Sequence, residues 1–249
     1  MTAGEGFPAG SGGSGGLPGG PERSKRRPRV AVFASGNGSN FQHIVGLAAA
    51  GELQVSVDLL VCDRPGAYVV ERARRLGVDV FTFRPKDYPS REDYERVLLK
   101  ILQEREIDFI VLAGYLRIVT DVLVQPYFGR MINLHPSLLP SFPGLDGARQ
   151  ALEYGVKVTG ATVHFVDSGL DSGPIILQKA VEVRDDDTEE TLLARIHEAE
   201  RDILPRAIRL LAEGRLRIDG RRVHVLPQSK GDQSGDQTSV DQRIGQNRH

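Results

Sequence analysis

The sequence is short of most features that would place it outside the cell interior or in a membrane. It holds one cysteine, Cys62, so no internal disulfide can form, and a reducing cytoplasm is the fitting compartment. Cys62 reads as buried packing. The longest apolar runs, such as 109–114, fall far short of the roughly 20 residues a membrane helix needs. The N-terminus has no signal-peptide h-region. Charge of one sign is also missing: 32 basic and 33 acidic residues leave a formal charge of -1, too little to gather nucleic acid or an anionic membrane over the whole surface. A soluble cytoplasmic protein is expected, one that acts on small molecules and holds any anion locally.

What is present is an α/β pattern between two polar ends. Residues 1–27 form a Gly/Pro-rich leader whose ordering no core contact would offset, and the basic run that ends it, Arg23, Lys25, Arg26, Arg27 and Arg29, reads as solvated. Residues 228–249 form a polar tail, expected to be disordered like the leader. The globular part, 28–227, is long enough for one catalytic domain. Runs 30–34, 55–61, 78–83, 107–112 and 131–134 read as strands, with helical stretches at 40–50, 67–76 and 91–105 between them. That rhythm predicts a doubly wound, mostly parallel, Rossmann-like sheet. After Gly155 the strands 159–166 and 175–183 follow one another without a helix, which predicts an antiparallel C-terminal addition. A capped helix over 188–213 ends at Gly214, and 215–218 and 221–225 flank an Asp219-Gly220 turn as a hairpin. No internal repeat is found.

The first strand runs into Ser35-Gly36-Asn37-Gly38-Ser39-Asn40, which opens a helix. Backbone N–H groups and the helix dipole meet there, so a phosphate can be held without a lysine. A Walker loop is excluded by the missing Gly-Lys-Ser/Thr. A dinucleotide fingerprint counted from Gly36 wants Gly or Ala at position 41, which is Phe41. Asp63, near the end of the second strand, keeps a nicotinamide enzyme as an alternative.

Asn133 and His135 stand two residues apart at the end of a strand, so their side chains project from one face while Leu134 faces the core. An amide and an imidazole held together can donate to a developing oxyanion, and the imidazole can move a proton. The pair suits attack on a carbonyl. His164 lies on a later strand and reads equally as cleft lining or core. His197-Glu198 begins like a zinc-protease helix, but Arg201 replaces the second histidine, so no metal site is supported. His43, His224 and His249 read as surface residues. Asp171, in a glycine-flanked turn, can orient and charge a histidine, but spacing leaves Asp146 and Asp167 as equal candidates.

These motifs together resemble the phosphoribosylglycinamide formyltransferase family. Residues 29–226 carry the resemblance, through Ser35 to Asn40, Leu116-Arg117-Ile118-Val119, Ile132 to Pro140 and Leu170-Asp171-Ser172-Gly173-Pro174. It implies a catalytic Asn133, His135 and Asp171, and so selects among the three aspartates. It also implies a nucleotide-phosphate site at Gly38, Ser39 and Asn40, with Glu200 at the glycinamide end. Folate contacts are implied at Arg91, Leu116, Arg117, Ile118, Val119, Asn133, Asp167 and Asp171. The implied co-substrate is 10-formyltetrahydrofolate, without a metal, and relatives are monomers or dimers. The implied reaction is direct formyl transfer to an amine, with Asn133 and a protonated His135 stabilising the oxyanion and Asp171 keeping His135 charged. The sequence departs from its relatives at Asp146-Gly147-Ala148, where histidines are common, and at Val119, where leucine is usual. A formyltetrahydrofolate hydrolase normally has a further domain ahead of the catalytic one, and a methionyl-tRNA formyltransferase one after it; neither is expected here. A sensor without chemistry would need the glycine loop but not the Asn-His-Asp set.

Overall fold

The computed structural model describes residues 26–228. The leader before residue 26 and the tail after residue 228, with Arg23, Lys25 and His249, lie outside the described residues. Arg26, at the edge of the leader, pairs with Asp108 at 2.8 Å.

Five strands, β1 (Arg29–Phe33), β2 (Ser56–Cys62), β3 (Asp79–Thr82), β4 (Phe109–Ala113) and β5 (Met131–His135), run parallel in the order β3-β2-β1-β4-β5. Helices α1 (Ser39–Ala49), α2 (Tyr68–Arg75) and α3 (Arg91–Glu104) make the crossovers. Side-chain alternation explains the two covered faces. In β1, Val30 and Val32 join the core under α1 and α2, whereas Ala31 and Phe33 join Tyr94, Leu98 and Leu102 of α3. Phe41, the residue that breaks the dinucleotide pattern, is fully buried in the first of these cores.

The sheet then reverses direction, as the loss of helical spacing after Gly155 predicts. Strand β6 (Val158–Phe165) adds antiparallel to β5 and β7 (Ile175–Glu182) antiparallel to β6, completing a seven-stranded sheet. The long helix α6 (Glu189–Ala212) packs on β6 and β7, starting at Thr188, whose side chain accepts from the Thr191 N–H. It continues through Pro205, which is buried. The expected hairpin forms as β8 (Leu216–Asp219) and β9 (Arg222–Val225), a separate two-stranded sheet.

Two short helices lie where no helix was read from the sequence, α4 (Asp121–Val124) and α5 (Gly147–Tyr154). The first is only four residues, too short for a 3.6-residue period to register. The second begins after Asp146 in a left-handed conformation, φ 61°, a start that ordinary capping rules do not flag.

Candidate active site

The carboxyl ends of β1, β4 and β5 open into a cavity of about 810 Å³. This is the switch region of an open α/β sheet, where ligands bind because the loops diverge there. Its size suits a small-molecule site.

Asn133 and His135 do share one face, as the period-2 rule requires, and both line the cavity. The antiparallel pairing adds a partner that spacing along one strand does not reveal. His164 of β6 is the register partner of Asn133, and its Nε2 lies 3.1 Å from Asn133 Nδ2. His164 Nδ1 sits 2.8 Å from the Phe165 carbonyl oxygen, an obligate acceptor, so Nδ1 carries the proton and Nε2 accepts from the amide. His164 is thus a cleft residue, one of two open readings.

Asp171 joins this group from the β6–β7 loop. Its Oδ2 accepts from the Gly144 N–H at 2.7 Å and lies 3.4 Å from His135 Nδ1; its Oδ1 accepts from Asn133 Nδ2 at 3.3 Å. The other two aspartates are occupied elsewhere. Asp146 pairs with Arg149, and Asp167 accepts from the Gly169 N–H and the Ser172 hydroxyl, closing its own turn. Burial would raise the Asp171 carboxyl, but the hydrogen bond from the Gly144 N–H and the two imidazoles beside it outweigh that and hold it below the usual carboxylate value.

His135 is 3% exposed, and its Nε2 faces the Phe142 carbonyl at 2.8 Å. That carbonyl fixes the proton on Nε2 and leaves the Nδ1 lone pair toward Asp171. Burial pushes the imidazole below its ordinary value despite Asp171, which acts in the opposite direction. Burial thus acts against the charge that Asp171 is expected to keep on His135.

The glycine loop faces the same cavity. Gly38, Ser39 and Asn40 line it, and α1 begins there with no side chain capping its N-terminus. Gly38 has φ +78°, and a Cβ there would stand 2.3 Å from Val69 Cγ2, so glycine is required by α2 as well as by the turn. Asn40 Nδ2 donates to Glu200 Oε2 at 2.9 Å, which joins α1 to α6. Burial pushes the Glu200 carboxyl up to about 7, against the lowering effect of that hydrogen bond.

Leu116, Arg117, Ile118, Val119 and Asp167 line the opposite wall, but Arg91, an exposed residue in the first turn of α3, does not. The Leu116–Val119 segment is pinned at three points. The Leu116 N–H donates to Ser35 Oγ at 2.9 Å, Arg117 Nε to Asp63 at 2.7 Å, and the Thr120 N–H to the buried Glu95 at 3.0 Å. Ser35 is read from the sequence only as the start of the glycine loop and Glu95 not at all, and nothing local marks either contact. His197 also lines the cavity, one helical turn before Glu200. It was set aside as a broken metal motif, yet its i,i+3 spacing to Glu200 is the signal that places both on one face. Burial, then the nearby Arg201, lowers the His197 pKa.

Known proteins resemble the chain in both sequence and fold. Residues 28–208 match the family described as formyl transferase. Phosphoribosylglycinamide formyltransferase of Bacillus subtilis (strain 168) is 49% identical over 183 residues, 74% of this chain and 94% of that protein. The human trifunctional purine biosynthetic protein adenosine-3 is 40% identical over 194 residues, 78% of this chain but 19% of that longer protein. Among solved structures, glycinamide ribonucleotide transformylase 1 from Symbiobacterium toebii superposes with a TM-score of 0.79 at 50% identity, covering 80% of this chain and 94% of that one. The chain belongs to the formyl transferase family and, within it, groups with the phosphoribosylglycinamide formyltransferases.

Proposed function

We propose that this protein transfers the formyl group of 10-formyltetrahydrofolate to the amine of 5'-phosphoribosylglycinamide, in de novo purine synthesis. The reading is supported above all by the convergence of Asn133, His135 and Asp171 at one end of a cavity whose other end is the uncapped start of α1. An anionic phosphate fits the loop Gly38-Ser39-Asn40, with the glycinamide end toward Glu200 and His197. The folate fits against Leu116, Arg117, Ile118, Val119 and Asp167, with Arg91 reaching from outside the cavity.

The amine attacks the formyl carbon directly, and no acyl-enzyme forms. Neutral His135 takes the proton at Nδ1 as the nitrogen becomes cationic, and the imidazolium so formed lies 3.4 Å from Asp171. That proton is then returned to the folate nitrogen as the tetrahedral intermediate collapses. Asn133 donates to the oxyanion. Its amide hydrogens are engaged by His164 and Asp171 in the resting protein, and the longer bond, 3.3 Å to Asp171, is the one to exchange for substrate. The protein works in the cytoplasm, on small molecules only, as a monomer or homodimer.

The test is donor absorbance in the presence and absence of the acceptor. A change that requires glycinamide ribonucleotide supports transfer; formate release without it would indicate a hydrolase, and no change at all a sensor. Asn133→Ala should lower turnover by roughly 10² to 10³, the usual effect of losing one oxyanion donor. Turnover within a few fold of wild type would remove Asn133 from the mechanism.

A further inference from the structure

A second cleft, of about 730 Å³, lies on the other side of the glycine loop, at the carboxyl ends of β1 and β2. Of its polar side chains, the proposed reaction uses only Arg117. Arg64, Arg84 and Lys86 line it, all three exposed, together with Arg117 and Asp63.

Two observations give this cleft more than surface charge. Asp63 is 2% exposed, and only one of its oxygens is satisfied: Oδ2 accepts from Arg117 Nε at 2.7 Å, while the buried Oδ1 has no partner among the described residues. A buried carboxylate oxygen without a donor is costly, and marks where a ligand donor belongs. The cleft also receives the N-terminus of α2, an eight-residue helix, where Ala67 supplies no capping side chain. Position 36 is open: a Cβ on Gly36 would meet nothing within 4 Å.

A ligand that satisfies all of these carries hydroxyl donors at one end and a phosphate at the other. The strand order β3-β2-β1-β4-β5 adds an independent reason. In sheets wound this way, an acidic residue at the end of the second strand takes the hydroxyls of a ribose, and the uncapped N-terminus of α2 is, as for helices in general, a place for a phosphate. A dinucleotide is excluded, because Phe41 fills the space where its fingerprint needs a small residue. One nucleotide remains.

We propose that this cleft is a separate binding site for a nucleoside 5'-monophosphate. Its ribose hydroxyls donate to Asp63 Oδ1, and its phosphate lies at the start of α2 among Arg64, Arg84 and Lys86. Because Gly36 and Arg117 line both cavities, an occupant here bears directly on the wall assigned to the folate.

The proposal goes beyond the reaction, and its test needs no turnover. Calorimetric titration of the full chain with AMP should give one site per chain, retained when glycinamide ribonucleotide is saturating. Arg84→Ala/Lys86→Ala should weaken AMP about tenfold or more, since charge-assisted phosphate contacts are lost. Both side chains are exposed, so the fold survives the change, and circular dichroism checks this. 2',3'-Dideoxy-AMP should also bind about tenfold more weakly, having no hydroxyl for Asp63. Absence of binding at millimolar AMP overturns the proposal. So does AMP binding that glycinamide ribonucleotide abolishes and the double variant leaves unchanged, which would locate AMP in the first cavity. If the dideoxy analogue binds as well as AMP, and a folate with several glutamates displaces both, the cleft is an anion site for the donor's tail and the nucleotide assignment falls.

Discussion

Asn40 on α1 and Glu200 on α6 meet at 2.9 Å across 160 residues of chain. The contact fixes one end of the cavity and isolates a carboxyl group that is 5% exposed.

That burial has a cost that depends on pH. The folded-state value of Glu200, about 7, lies above the 4.5 of the free group, so the native protein binds the proton more tightly than the unfolded chain does. Stability is complete below the unfolded value and declines as pH rises through the folded one. Between pH 5 and pH 8 the loss is on the order of 3 kcal/mol. Glu200→Gln keeps the Asn40 contact without the charge. Urea midpoints measured across this range should fall for the wild type and fall much less for the variant; parallel curves would show that Glu200 does not titrate in the window.

His135 shifts in the opposite sense. Burial depresses its folded pKa below 6.5, so its neutral form, favoured by the fold, is lost as pH drops through the depressed value. Turnover at saturating substrates should accordingly show an acid limb below the ordinary histidine value, and His135→Gln should lose roughly 10² to 10⁴ in kcat. Asp171 raises the pKa of His135, so Asp171→Asn should move the acid limb to still lower pH as well as slow the reaction. A limb that moves upward, or does not move, would mean that another group controls it.

Much of this was legible in the sequence, and the part that was not has a common physical form. The period-2 rule put Asn133 and His135 on one face, and the glycine loop marked the start of α1 at the cavity, because both signals are local. Asp171 had to be chosen by family likeness, since its position depends on a loop folding back from β6 to Gly144, and nothing in the spacing of 135 and 171 encodes that. His164 became a cleft residue only through its antiparallel register with Asn133. The contacts of Ser35 and Glu95 were missed for the same reason: each acts on a backbone N–H far along the chain. The opposing pull on His135 was not legible, because a nearby carboxylate is visible in a motif while the extent of burial is not.

The Ser35 contact gives a test of positioning separate from chemistry. Ser35 is 1% exposed, and its hydroxyl accepts the Leu116 N–H. Ser35→Ala leaves that N–H without its acceptor and loosens the wall proposed for the folate at a cost of about 1 kcal/mol or more. The donor KM should rise about fivefold or more, while kcat and the acceptor KM stay close to wild type. A fall in kcat with unchanged donor KM would show that the segment acts in the chemical step.

Gly38 carries two demands at once, and they can be separated. Its φ of +78° disfavours any side chain, and a Cβ would lie 2.3 Å from Val69 Cγ2, 2.6 Å from Val69 Cβ and 3.0 Å from Val69 Cα. Gly38→Ala should therefore destabilise the fold by about 1 kcal/mol from the left-handed backbone, plus about 1–3 kcal/mol from overpacking. Val69→Ala in the same chain removes the Cγ2 clash but not the approach to Cβ and Cα, so it should restore only part of the loss. A double-mutant cycle in urea isolates that coupling. No coupling would mean that α2 moves aside freely, and that the left-handed turn alone requires the glycine. Because Gly38 is the residue from which α1 starts, an α2 that moves aside should leave acceptor binding nearly intact. A loop displaced by Val69 should instead raise the acceptor KM together with the loss of stability.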